Sequence, residues 1–275
     1  MKRLALTAVP VLVAALAACG SNKTPQPTRP VYESGTLPQL SCNPNLDGKI
    51  EAAEMAPMLN VPVRYLVSPS GKSRTIDLSA ASGWDLGNDY ADDLVATISA
   101  SSPKGKWYET TFPGATFVAP FDAGHTIDAI YAYGPGAIQL LGLASVNADG
   151  PGGKTLLAYD VPIAVFRFPL AVGQSWVSAG NVKNATLRGQ PYAGKDTYEI
   201  SIDGAGDLTL PDYTFQSVLR MRTKVTVEPS AGQVTVQRQT SFLFECFGEV
   251  ARATSQPGEA NQDFTTTSEL RRLGL

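Results

Sequence analysis

The 275-residue chain has one histidine, His125, and three cysteines. A single imidazole leaves too few ligands for a zinc site built on several histidines, and gives a hydrolytic triad only one possible base. No basic run occurs anywhere, and acidic residues outnumber basic ones by 25 to 22, so no nucleic-acid partner is expected. There is no G-x-S-x-G elbow, and Gly134-Pro135-Gly136 reads as a turn rather than a phosphate cradle. Ser101-Ser102-Pro103-Lys104 has the S-x-x-K spacing without its companion motifs. His125, in FDAGHTIDAIY between Asp122 and Asp128, reads as a turn or surface residue. No tandem repeat of fixed period is visible.

Long apolar runs are also scarce, and the one present lies at the start. Lys2 and Arg3 precede an apolar stretch from Leu4 to Ala18, the charge-then-apolar order of a secretory signal. At about 15 residues it falls short of the roughly 20 that a spanning helix needs. Its last four residues, Leu16-Ala17-Ala18-Cys19, resemble the lipobox of bacterial lipoproteins. The resemblance implies removal of residues 1–18 as a signal peptide and a diacylglyceryl group on the sulfur of Cys19, which becomes the mature N-terminus. Two or more acyl chains hold far more firmly than one, so the expected partner is a membrane, reached through lipidated Cys19. Gly20 and Ser21 follow, with no aspartate at the second mature position, which implies the outer membrane of the cell envelope. Loss of Lys2 and Arg3 with the signal leaves 25 acidic groups in clear excess over the remaining basic ones.

With Cys19 assigned to lipid, Cys42 and Cys246 are an even pair in an oxidising compartment. A disulfide between them is expected, the alternative being two separately buried thiols. Chain-entropy models give about 5 kcal/mol at most for so long a closed loop.

Residues 19–41 form the lipid anchor and a proline-rich tether with almost no apolar periodicity. From residue 61 to 275 the pattern is β-rich: short β-branched and aromatic runs punctuated by Gly, Pro, Asp and Asn. Candidate strands are 61–67, 94–100, 107–112, 116–121, 126–133, 137–146, 156–161, 163–168, 175–178, 197–202, 218–228, 233–247 and 249–254. Helical windows are limited to 50–59 and 89–95. In LRMRTKVTVEPSAGQVTVQ, Arg220, Arg222 and Lys224 alternate with Met221, Thr223 and Val225, which predicts a long hairpin with one wet and one dry face. The expected fold is therefore mainly β: an antiparallel curved sheet, sandwich or barrel-like. Two proline-bounded blocks, 61–160 and 161–275, are either halves of one body or two small domains. In the second, FRFPLAVGQSW, GAGDLTLPDYTFQSVLRMRTKVTV and CFGEVARATS resemble segments of secreted and lipid-anchored bacterial β-proteins. That resemblance implies a curved antiparallel sheet in the envelope and brings no catalytic residues with it.

One motif carries chemistry. Residues 43–54, NPNLDGKIEAAE, follow the calcium loop D-x-[DN]-x-[DN]-G-x₅-E at every position but the first. Asn43, Asn45 and Asp47 would supply side-chain oxygens, Lys49 its backbone carbonyl, Glu51 a direct or water-mediated oxygen, and Glu54 both carboxylate oxygens to a structural Ca2+. Gly48 permits the sharp turn, and Ile50 is the apolar eighth position whose backbone pairs with a second loop in the EF-hand and dockerin-type loops that this one resembles. Asn43 in place of aspartate, the absence of an entering helix and the absence of a second loop point to a solitary site. The competing reading is an Asn/Asp-Gly turn capping a short helix within 42–60.

The leading expectation is a non-enzymatic, lipid-anchored envelope protein with a structural calcium loop. The first alternative is a carrier or chaperone enclosing a lipid or apolar ligand. The second is a hydrolase acting through carboxylates, which nothing in the sequence localises.

Overall fold

The computed structural model describes residues 42–150 and 152–275. The signal, Cys19 and the tether as far as residue 41 lie outside the described residues. Alternating apolar and polar residues specify most of the strands: β1 (Lys49–Ile50), β2 (Val63–Val67), β3 (Trp84–Asp85), β4 (Leu94–Ile98), β5 (Phe117–Pro120), β6 (Ile127–Gly134), β7 (Ala137–Ser145), β8 (Leu156–Arg167), β9 (Leu170–Ala171), β10 (Ser175–Leu187), β11 (Gln190–Thr209), β12 (Thr214–Pro229), β13 (Thr235–Phe244), β14 (Gly248–Ser255) and β15 (Thr267–Leu273). The only helical elements among the described residues are 3₁₀ turns at Ala52–Met55 and Glu109–Thr111.

Twelve strands follow one another antiparallel in the order β4-β2-β15-β14-β13-β12-β11-β10-β8-β7-β6-β5. The two ends of this row meet. Ser101, just past β4, exchanges both backbone hydrogen bonds with Val118 of β5, each at 2.9 Å. The sheet thus curls into a nearly closed barrel, which removes most of the exposed strand edge. Strands from both proline-bounded blocks share it. The β10–β11 hairpin turns on Arg188 (φ 51°) and Gly189 (φ 78°), the left-handed pair that matches the twist of the flanking strands.

Side chains separate by register into one inner and two outer clusters. Leu140, Ile163, Trp176, Ile200, Met221 and Leu243 belong to the inner one. Outside, residues 68–93 cross β11–β15, placing Leu78, Trp84 and Leu86 on Val218, Phe242 and Leu270. A second outer segment sets Tyr108 and Phe112 against Val118, Ile130 and Ala144. Both segments lie so close to the sheet that glycine is needed beneath them. A Cβ on Gly142 would sit 2.5 Å from the Phe112 ring, and one on Gly206 would sit 2.7 Å from the backbone nitrogen of Gly83.

The outer face of β12 and β15 differs from the expected wet face. Arg220 and Arg222 are buried, and Asp203 accepts from the Nε of each at 2.7 Å. Arg272, fully buried, donates to the carbonyls of Leu86 and Asn88 and pairs with Asp93, which also accepts from Arg74 at 2.7 Å. Asp203 lies on neighbouring β11, and the 68–93 segment supplies the carbonyls of Leu78, Leu86 and Asn88 and the carboxylate of Asp93, partners that alternation within the hairpin could not reveal. The segment 107–112 is a turn rather than a strand, and 156–161 and 163–168 fuse into β8. The window 50–59 yields only β1 and a 3₁₀ turn, 89–95 yields no helix, and β15 was not expected.

Candidate functional site

Inside the barrel lies a cavity of about 670 Å³. That is within the ~300–1,000 Å³ typical of small-molecule sites. Its walls are mostly apolar: Ile98, Phe117, Leu140, Leu157, Phe166 and Met221 all face it. A barrel of this many strands is wider than its own side chains need to fill it.

The N-terminal segment stops one end of the cavity. Ile50 pairs with Leu170 of β9, and both are buried in the inner cluster. Met55 packs on that cluster, Met55 and Pro57 line the cavity, and the Tyr133 hydroxyl donates to the carbonyl of Ala52 at 2.8 Å. The cavity also reaches solvent, at the exposed residues Phe121, Thr235 and Pro257.

Ionisable groups interrupt the apolar wall at two places, and the neutral side chains of Thr223, Gln237, Gln239 and Ser241 also face the cavity. On β14 and β15, Arg252 stands directly across the ladder from Arg271. Arg271 Nη2 donates to Glu269 at 3.1 Å, whereas Arg252 lies 3.6 Å from Glu249 and 3.8 Å from Glu269. Burial and the adjacent Arg252 charge push the Arg271 guanidinium below the usual arginine range. Glu249 accepts the Ser241 hydroxyl at 2.7 Å, and its carbonyl accepts the Tyr65 hydroxyl at 2.8 Å. Burial pushes Tyr131, which lines the cavity from β6, up to about 12. The second group is Asp196, whose Oδ2 accepts from Tyr159 at 2.6 Å while the buried Oδ1 has no partner among the described residues. Burial raises its carboxyl above the ordinary value.

The candidate calcium-loop residues lie at the stopped end, at the surface. The Asn45 side chain accepts from the backbone of Asp47, and that of Asp47 from the backbone of Lys49, each at 2.9 Å. Glu54 Oε2 accepts from the Glu51 backbone at 2.7 Å. Asn43 and Glu51 are exposed. Gly48 has φ 83°, and the backbone of Ile50 pairs with Leu170 of β9. Among the described residues no three His, Cys, Asp or Glu side chains converge as a metal group. Asp47 and Glu54 each keep one carboxylate oxygen outside these hydrogen bonds. The expected disulfide is present: Cys42 is bonded to Cys246, with Cα atoms 5.6 Å apart. Beside it is a residue that the sequence reading passed over, the buried Glu245, which accepts the backbone N–H groups of Asn45 at 2.6 Å and Leu46 at 2.8 Å.

His125 is half-exposed and lies 3.2 Å from buried Asp128, which also accepts from Tyr108 at 2.6 Å and pairs with Lys106 at 3.2 Å. This carboxylate is fully partnered and faces the outer segment. Among the tryptophans, Trp176 packs inside the barrel, while Trp84 and Trp107 pack with the outer segments. Glu249, Arg252 and Arg271 also escaped the sequence reading. The signal that could have found them is a set of ionisable residues at inward register positions on adjacent strands. Comparison of the chain with protein families, with curated proteins and with solved structures finds no match.

Proposed function

We propose that the protein is a carrier that holds an apolar or amphiphilic ligand inside its barrel, while lipid on Cys19 keeps it at an envelope membrane. The observation that supports this reading is the apolar cavity of about 670 Å³, stopped at one end and reaching solvent at exposed residues. Outward-facing positions of β10–β12 carry Lys183, Lys195, Glu199 and Lys224. A barrel that meets lipid on its outside has an apolar band there. The apolar face offered to a ligand is therefore the inner one.

A hydrolase would need two carboxylates free to act as acid and base. Glu249 and Glu269 each lie beside Arg252, which favours a binding role over an acid–base one. The structural-calcium reading of Asn43, Asn45, Asp47, Lys49, Glu51 and Glu54 stands beside the carrier role. Its support is the left-handed turn at Gly48 and the backbone pairing of Ile50.

Titration of the full chain with the apolar probe N-phenyl-1-naphthylamine tests the carrier role. Saturable fluorescence enhancement is expected, weakened at least tenfold by Leu140→Trp, which fills the lumen from a buried wall position. Absence of enhancement, or equal binding by the variant, would end the reading.

A further inference from the structure

The carrier reading leaves open which ligand chemistry the cavity selects, and the wall formed by β14 and β15 bears on it. Resting on that reading, we infer that the cavity takes an amphiphile with an oxyanion head, carboxylate or phosphate, seated between Arg252 and Arg271.

Arg252 and Arg271 are direct cross-strand partners on the inner face. Like charges in that relation oppose sheet pairing. Two carboxylates stand nearby, yet they do not satisfy the guanidiniums. The contacts of Arg252 at 3.6 and 3.8 Å exceed hydrogen-bonding distance. Arg271 makes one hydrogen bond to Glu269, and the Nε atoms of both arginines are buried without a partner. The Arg271 side chain is only 5% exposed. Each guanidinium carries five N–H donors and accepts nothing. Glu249, the other carboxylate on this wall, receives the Ser241 hydroxyl at one oxygen and faces Arg252 Nε with the other at 3.6 Å.

The formal charges of Arg252, Arg271, Glu249 and Glu269 balance, but the two carboxylates engage only one of the guanidinium N–H groups in a hydrogen bond. A carboxylate or phosphate supplies acceptor oxygens that can be shared between two guanidiniums, in short charge-assisted hydrogen bonds. It also offsets the burial and, after it, the Arg252 repulsion that together hold Arg271 below its usual range. An ammonium head brings donors alone and would have to share Glu249 and Glu269 with the guanidiniums, whereas a hydroxyl supplies a single acceptor oxygen. From this position the apolar wall through Phe117, Leu140 and Phe166 remains to cover a hydrocarbon chain.

Fluorescence titration of the full chain with cis-parinaric acid and with its methyl ester separates head from tail. The acid should bind at least tenfold more tightly than the ester, and Arg252→Gln should bring acid affinity down to that of the ester. The comparison within the wild type needs no variant, so it holds even if a substitution disturbs folding. Equal affinity for acid and ester overturns the oxyanion head while leaving the carrier role standing. Failure of both to bind overturns the two together. Displacement of bound probe by oleate, by oleoyl lysophosphatidate and by oleyl alcohol identifies the source. The oxyanion that competes at the lower concentration is the preferred head, and an alcohol competing as well as either one refutes the assignment.

Discussion

The Glu245 carboxylate accepts the backbone amide of Leu46 at 2.8 Å, across 199 residues of sequence and next to the disulfide that joins Cys42 to Cys246. A covalent bond and a buried anion therefore fix the same few residues to the end of β13. Glu245→Ala leaves the Asn45 and Leu46 amides without their acceptor, at a cost of about 1–3 kcal/mol. Urea unfolding should show this loss with the disulfide intact. A variant as stable as wild type would mean that the bond contributes nothing.

Calcium at several millimolar should raise the melting temperature of the wild type, because a loop of this kind in extracellular proteins binds with dissociation constants of about 10⁻⁴–10⁻³ M. Glu54→Ala should abolish the rise. A wild-type melting curve that calcium leaves unmoved reduces residues 43–54 to a turn.

Asp93 receives both Arg74 and the fully buried Arg272, and so clamps the 68–93 segment to β15. Asp93→Asn keeps the shape and removes the charge, leaving an uncompensated buried guanidinium. A loss of about 3–5 kcal/mol is expected in chemical denaturation. A change below about 1 kcal/mol would show that neighbouring Asp92 and the carbonyls of Leu86 and Asn88 are sufficient.

Asp196 links stability to pH with a definite sign. Burial raises its folded-state pKa, so the folded protein holds this proton to higher pH than the unfolded chain does. The associated stability is complete below the unfolded value, about 3.9, and is lost as pH rises through the raised folded value. Asp196→Asn, which can still accept the Tyr159 hydroxyl, should therefore melt higher than wild type at pH 7, with the difference vanishing below about pH 4. Melting curves across that interval check it, and a pH-independent difference would assign the effect to packing.

Mass spectrometry of the mature protein should find a diacylglyceryl group on Cys19 and none of residues 1–18. An unmodified N-terminus at another position would remove the membrane anchor from the proposal.

Sequence makes β12 legible through one apolar and one polar face, and β6 and β7 legible as apolar runs bounded by turn residues and buried on both faces. β15 was hidden because both of its faces carry charge: Arg271 turns into the cavity and Arg272 turns out beneath the 68–93 segment. A period-2 reading needs one apolar face, and here Arg272 finds its carboxylate, Asp93, on a distant part of the chain, while Arg271 pairs with Glu269 on its own strand. The same property concealed the candidate head-group site, since Arg252 and Arg271 become neighbours only when β14 and β15 pair. Trp107–Phe112 failed in the opposite direction. Its aromatics look like strand residues, but Tyr108 and Phe112 are the apolar side of a turn packed onto the outside of the sheet.

By itself the sequence determined a β-rich body and pointed to Cys42 and Cys246 as a pair and to a sharp turn at Gly48, because these depend on local alternation, on cysteine count and on the backbone freedom of one residue. The closure of the sheet, the lumen and the opposed arginines were decided only in three dimensions. They arise from register between strands far apart in the chain, and a side chain's inward or outward aim acquires meaning only once the two ends of the sheet meet at Ser101 and Val118.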